Sequence, residues 1–237
     1  MPAYKAIIFD FDDTLIDFPA SESNALRQGM ISGGLRLNVD ENWPLIRNTY
    51  EPISARYWGN RAAHGLTRQQ IIEHSIRDTL IELNEDGHLA TGIADRYWDA
   101  FCTTAYPNPG AEEILQSLHG RFILGLVTNG YTEAQRGRLE AANWAVFFQA
   151  VVISDDAGVA KPNPRIFEIA IQELDVRMEE SLYVGDSLTH DLAGATSAGM
   201  DFCLYRPQGD NPINDDIKPT YVIKDLMALE TILTPNQ

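Results

Sequence analysis

Ala6-Ile7-Ile8-Phe9-Asp10-Phe11-Asp12-Asp13-Thr14-Leu15 is the stretch on which the fold turns. Four apolar residues stop abruptly at a carboxylate, with a second carboxylate two places on and a hydroxyl soon after. A short apolar run bounded by polar residues reads as a buried strand. Alternate side chains of extended backbone share a face, so Asp10 and Asp12 can converge beyond the strand's carboxyl end. Open parallel sheets bind their ligands at that edge. On this stretch alone a plainer reading stays open, in which Asp13 or Thr14 caps a following helix.

Toward the C-terminus, strand-like and helix-like segments alternate. Helices are expected at Ala111–Leu118, Thr132–Ala142, Arg165–Leu174 and Asp191–Ala198. Strands are expected at Phe122–Val127, Ala150–Ser154, Ser181–Val184 and Asp201–Tyr205. Tyr221–Ile223 reads as an edge strand and Leu226–Leu233 as a closing helix. Such alternation predicts an α/β fold with a doubly wound, mostly parallel sheet. Residues 17–108 differ, with helix-period patterns at Ser21–Ile31, Thr67–Leu83 and Ile93–Thr104. Thr67 with Gln70 forms a capping-box pattern, while Gly33-Gly34 and Asn84–Gly92 read as connections. The expected organisation is therefore a core of residues 1–16 and 109–237, interrupted by an inserted α-helical cap domain at 17–108.

The 237 residues, 44% of them hydrophobic, can bury a substantial core. Eighteen basic against 34 acidic side chains leave a formal charge of -16, which repels nucleic-acid backbones and anionic membranes. No apolar stretch approaches the roughly 20 residues of a membrane span, and the N-terminal stretch lacks a signal-peptide pattern. A cytoplasmic protein, monomer or homodimer, is expected, with no polymeric nucleic acid and no membrane as partner. Cys102 and Cys203 form no CxxC pair and read as ordinary buried thiols.

Polar residues follow three further expected strands. Thr128-Asn129-Gly130 offers a hydroxyl, an amide and a glycine-freed backbone, all able to donate to phosphate oxygens; Asn-Gly also makes an ordinary turn. Lys161, in Gly158-Val-Ala-Lys161-Pro-Asn-Pro164, stands just before a helix. It is one of only four lysines, with Lys5, Lys218 and Lys224, and the only one at a strand-to-helix junction. Asp186 follows Gly185 at the end of the third strand, and Asp191 lies five residues on, where it could equally cap a helix. Oxygen ligands without a Cys or His cluster favour Mg²⁺ over zinc. His190 reads as a partly exposed helix residue.

In order, FDFDDT, LVTNG, GVAKPNP and VGDSLTHD resemble the four motifs of the haloacid dehalogenase-like (HAD) hydrolase superfamily. The resemblance covers nearly the whole chain and implies a Rossmann-like core with a small helical cap. It implies Asp10 as nucleophile, Asp12 as general acid and base, Thr128 on a phosphoryl oxygen, and Lys161 pairing with Asp10 and the phosphoryl group. Mg²⁺ would be held by Asp10, the Asp12 backbone carbonyl and Asp186, with Asp191 supporting the metal or Lys161. Asn129 and Gly130 join the substrate site as phosphate donors, and in the cap Arg56 and Trp58 offer a guanidinium group and an aromatic face, Tyr57 and Trp58 reading also as cap core.

The residues then choose among that superfamily's reactions. Halide leaves without a proton, and the dehalogenases that name the superfamily lack an acid two places after the nucleophile. Asp12 therefore points to phosphate ester hydrolysis. A phosphonate-cleaving relative would need a cap lysine, yet no lysine stands between Lys5 and Lys161. Arg47, Arg56 and Arg61 keep a sugar-phosphate mutase in view, and a non-catalytic regulatory protein on this scaffold ranks behind it. The expected substrate is a small phosphorylated metabolite, a nucleoside monophosphate first and a phosphoglycolate or sugar phosphate as the alternative.

Overall fold

A computed structural model describes residues 4–60, 65–209 and 218–234. It divides into two compact units, one of residues 1–18 and 105–237 and the other of residues 19–104. In the first unit the strands are β1 (Ala6–Phe9), β2 (Ile123–Thr128), β3 (Ala150–Ile153), β4 (Ser181–Gly185), β5 (Asp201–Tyr205) and β6 (Tyr221–Ile223). They form one sheet in the order β3-β2-β1-β4-β5-β6, and every neighbouring pair is parallel. The chain enters at the middle of the sheet, builds outward through β2 and β3, then returns to build the other side from β4. A topological switch point therefore lies between β1 and β4.

Both faces of this sheet are covered. Ile7 and Phe9 of β1 join Leu124, Leu126, Leu182 and Val184 in a core closed by Ala111, Ile114, Leu115 and Leu118 of the helix Ala111–Leu118 and by Leu226 and Leu229. Ala6 and Ile8 point the other way, into a second core with Val127, Val152, Phe202 and the Ile166, Phe167, Ala170 and Leu174 face of the helix Pro164–Leu174. Strict alternation along β1 thus supplies one apolar layer to each side, as extended backbone requires. Among the described residues no helix is long and apolar enough to cross a membrane. Cys102 and Cys203 are buried thiols that are not joined in a disulfide.

The second unit holds the helices Trp43–Gly59, Arg68–Glu82 and Ala90–Thr103 and all but the first residue of Phe18–Ser32. Thr67 caps Arg68–Glu82 as its sequence predicts: its hydroxyl accepts from the Gln70 amide at 3.3 Å while the Gln70 side chain accepts from the Thr67 amide at 3.0 Å. Gly29 lets Phe18–Ser32 and Ala90–Thr103 approach closely, since a Cβ there would stand 2.9 Å from the Ile93 carbonyl oxygen. Two expectations need correction. Trp43–Gly59 is a helix that the sequence reading did not assign, because Pro52 inside it and Pro44 at its start mask the pattern. Proline is tolerated in a helix's first turn, but in the interior it removes a hydrogen bond. The stretch Asn84–Gly92 is also only partly a connection: a 3₁₀ turn at Gly87–Leu89 leads into a helix that already starts at Ala90, through Gly92.

Candidate active site

The carboxyl ends of β1, β2 and β4, with the loop before Pro164–Leu174, converge on one cavity. Asp10, Asp12, Asp13, Thr128, Asn129, Lys161, Asp186, Ser187, His190 and Asp191 line it. Asp10 extends β1, its amide donating to the Val184 carbonyl at 2.8 Å. Asp13 adopts a left-handed conformation, φ +59°, which turns the chain out of the strand direction. The helix begins only at Phe18, and the Thr14 hydroxyl donates to Asp186 Oδ1 at 3.4 Å.

At the centre is a buried ammonium. Lys161 Nζ donates to Asp10 Oδ1 at 2.6 Å, to Asp191 Oδ1 at 2.7 Å and to the Tyr183 hydroxyl at 3.1 Å. These acceptors match its three protons. Lys161 is itself held by its backbone: its amide donates to Asn129 Oδ1 at 2.8 Å and its carbonyl accepts from Asn129 Nδ2 at 3.0 Å. The Asn129 side chain is therefore engaged in fixing Lys161. Asp191 is fully buried, and its other oxygen accepts from the Ser187 amide at 3.0 Å. Gly185 makes this approach possible, since a Cβ there would stand 2.5 Å from Asp191 Oδ2. Tyr183, read in sequence as one more strand residue, turns its hydroxyl to the Val127 carbonyl at 2.9 Å and so reaches Lys161.

Charge is out of balance here. Asp10, Asp186 and Asp191 each offer an oxygen, all within 4.8 Å of one another. Burial first, then Asp191, pushes the Asp10 carboxyl well above the usual carboxylate range against the pull of Lys161. Burial, Asp191 and Asp13 push Asp186 up to about 6. Burial also works against the Lys161 ammonium, but Asp10 and Asp191 outweigh it and raise its pKa. Three crowded carboxyls share one ammonium, an arrangement that a hard divalent cation would relieve.

The Asp12 carboxylate is held apart from that acidic cluster. Arg138 grips it in a fork, Nη1 to Oδ1 at 2.6 Å and Nη2 to Oδ2 at 3.1 Å, and Gln135 Nε2 adds a bond to Oδ2 at 3.0 Å. Gln135 Nε2 also donates to the Thr128 hydroxyl at 2.6 Å, and the Gln135 carbonyl accepts from Arg138. The Arg138 guanidinium lies over the Phe11 ring, 5.2 Å from its centroid. Sequence reading missed both residues. Their signal lies in the helix Thr132–Ala141, whose buried residues are Ala134, Gln135, Arg138 and Leu139. Two slots of one buried face carry polar side chains, and buried polar groups need partners.

Gly130 donates its amide to Ser154 Oγ at 3.0 Å, and a Cβ there would meet the Gln135 amide nitrogen at 2.8 Å. His190 is exposed, in a π-helical turn at Leu188–Leu192 that precedes the helix Ala193–Ala198. Arg56 and Trp58 belong to the helix Trp43–Gly59 of the second unit. There Arg56 is exposed, 3.6 Å from Asp78 and 5.4 Å from the Tyr57 ring centroid, and Trp58 is half-buried. Arg47 is paired within the second unit to Glu22 and, at 2.6 Å, to Glu51; Arg61 lies outside the described residues.

Asp10 at the switch point of the parallel sheet, the buried Lys161 on it and Asp12 two places on thus line one cavity. Residues 4–199 match the haloacid dehalogenase-like hydrolase family, and the chain belongs to it. It is 34% identical to the glyceraldehyde 3-phosphate phosphatase of Methanopyrus kandleri, over 92% of each chain. It is 28% identical to the pyrimidine 5'-nucleotidase PynA of Streptococcus pneumoniae, over 98% of this chain and 96% of that one. Among solved structures, the HAD-hydrolase YfnB of Bacillus subtilis, bound to magnesium, superposes with a TM-score of 0.77 at 28% identity, covering 98% of this chain and 99% of the other.

Proposed function

We propose that the protein is a Mg²⁺-dependent phosphatase acting on a small phosphorylated metabolite through an aspartyl-phosphate. The observation that carries this is Asp12, two residues beyond Asp10 and lining the same cavity as Asp10, Thr128 and Lys161. An alkoxide leaving group needs a proton, and Asp12 is the acid placed to give it. Asp10 attacks phosphorus and the ester oxygen departs with the proton of Asp12; the same carboxylate then takes a proton from the water that hydrolyses the intermediate. Lys161 orients Asp10, and a phosphoryl oxygen replaces one of its three present acceptors. Thr128, whose oxygen accepts from Gln135, donates at 3.4 Å to the Asn129 carbonyl, a long bond that a phosphoryl oxygen would replace.

Asp10, Asp186 and the Asp12 carbonyl would hold the cation, with Asp191 bracing Lys161 beside it. When bound, Mg²⁺ supplies positive charge against the oxygens of the transferring group. Carboxylate and carbonyl oxygens suit it. For the substrate, a nucleoside monophosphate is one reading, in keeping with the pyrimidine nucleotidase relative. A three-carbon sugar phosphate is the second, favoured by the higher identity to the glyceraldehyde 3-phosphate phosphatase.

A phosphate-release screen over nucleotides, sugar phosphates and phosphoglycolate tests both. Turnover is expected with Mg²⁺ and none with EDTA. Full activity in chelator would remove the metal, and no release from any ester, p-nitrophenyl phosphate included, would sink the phosphatase reading.

A further inference from the structure

We propose that Arg138 and Gln135 are positioning residues that fix Asp12 and Thr128 as one hydrogen-bonded unit and select Asp12 Oδ1 as the oxygen that handles the proton. The proposal rests on the phosphatase reading of the site and adds two residues and one atom to it. Two carboxylate oxygens offer about four lone-pair positions. Oδ2 takes two of the three bonds, from Arg138 Nη2 and Gln135 Nε2, whereas Oδ1 takes only that from Arg138 Nη1. The remaining position on Oδ1 is the one left for a leaving group or a water.

The surroundings make this grip a fixed one. Arg138 is 1% exposed, against 24% for the Asp12 side chain, so the buried partner anchors the more open one. The guanidinium lies over the Phe11 ring, and the Gln135 carbonyl accepts from it. A planar fork of this kind orients a carboxylate as a single ammonium cannot. Gln135 extends the unit to Thr128, and Gly130 leaves it room, because a Cβ there would overlap the Gln135 amide. The glycine of LVTNG thus serves the general acid through Gln135. A buried Arg and Gln whose purpose was only packing would not need to meet on one carboxylate that lines the cavity.

The test compares p-nitrophenyl phosphate, whose leaving group departs without a proton, with benzyl phosphate, whose leaving group needs one. Turnover of p-nitrophenyl phosphate by the parent enzyme is established first, and its absence would refute the phosphatase reading itself. Arg138→Met, Arg138→Lys and Gln135→Ala are then measured on both esters, with Arg136→Met on the exposed side of the same helix as control. We expect Arg138→Met to lower kcat/KM on benzyl phosphate by about a hundredfold, the scale of a misplaced catalytic group. The loss of kcat/KM on p-nitrophenyl phosphate should be at least tenfold smaller, because this ratio reads leaving-group departure and not the later hydrolysis that both esters share, and Arg138→Lys should recover part of the loss. In a double-mutant cycle, Arg138→Met should add almost nothing to Asp12→Asn on the benzyl ester. Equal losses on both esters, additive losses in the cycle, or failure of all three variants to fold would overturn the proposal, since each makes Arg138 and Gln135 determinants of structure alone.

Discussion

Asp10 carries the covalent step in this reading, and its chemistry is tested by the smallest change. Asp10→Asn retains the shape but cannot attack phosphorus, so turnover of every ester should vanish in a phosphate-release assay while the circular dichroism spectrum stays that of the folded protein. Appreciable residual activity would take the nucleophile's role away from it. Gly185 offers a second test. An added Cβ would stand 2.5 Å from an Asp191 oxygen that is fully buried and bonded to the Ser187 amide. Gly185→Ala should cost roughly 1–3 kcal/mol, the range for overpacked cores. It should also lower kcat, because Asp191 cannot move without Lys161. An unchanged melting temperature and rate would show that the loop absorbs the methyl. Asp10 and Asp186 were legible from sequence because each follows an apolar run, and Lys161 because it is the only lysine at a strand-to-helix junction. Tyr183, Gln135 and Arg138 were not: a tyrosine in a strand and polar residues on a helix look ordinary until packing shows which way they face.

Elements were readable in proportion to how cleanly their patterns were bounded. Asp201–Tyr205, Tyr221–Ile223 and Ala111–Leu118 occur with the limits their sequences predict, each stopped by glycine, proline or charge. Helix Trp43–Gly59 escaped because Pro52 contradicts local propensity, and its packing against Arg68–Glu82 overrides that contradiction. Interior proline costs a helix about 3 kcal/mol, which tertiary contacts must offset. The capping box at Thr67 and Gln70 contributes in the other direction. Thr67→Ala removes the hydroxyl that receives the Gln70 amide, and a lost N-cap typically costs about 1 kcal/mol. In a chain of this size that is a fall of about 2–4 °C in melting temperature, readable by differential scanning calorimetry. No shift would mean that water replaces the cap at no cost.

At the scale of the whole molecule, a formal charge of -16 makes the buried acids a burden on folding. Asp186 shows the sign. Its carboxyl is pushed up to about 6 from an ordinary value of 3.8, by burial first and then by Asp191 and Asp13. A group whose folded pKa is raised binds more protons folded than unfolded. Its contribution is therefore present below pH 3.8 and is lost as the pH rises through about 6. Asp10, raised by burial and by Asp191, acts in the same direction. A divalent cation reverses this penalty only where the carboxyls are ionised, so protons and Mg²⁺ compete for the same oxygens. The stabilisation by saturating Mg²⁺, measured as a shift in melting temperature against EDTA, should be small at pH 5 and grow through pH 6 to a plateau near pH 7.5. Asp186→Asn removes one of the titrating ligands and should flatten that rise. A Mg²⁺ shift that is equal at pH 5 and 7.5, or one that survives Asp186→Asn unchanged, would place the cation somewhere other than beside Asp10 and Asp186.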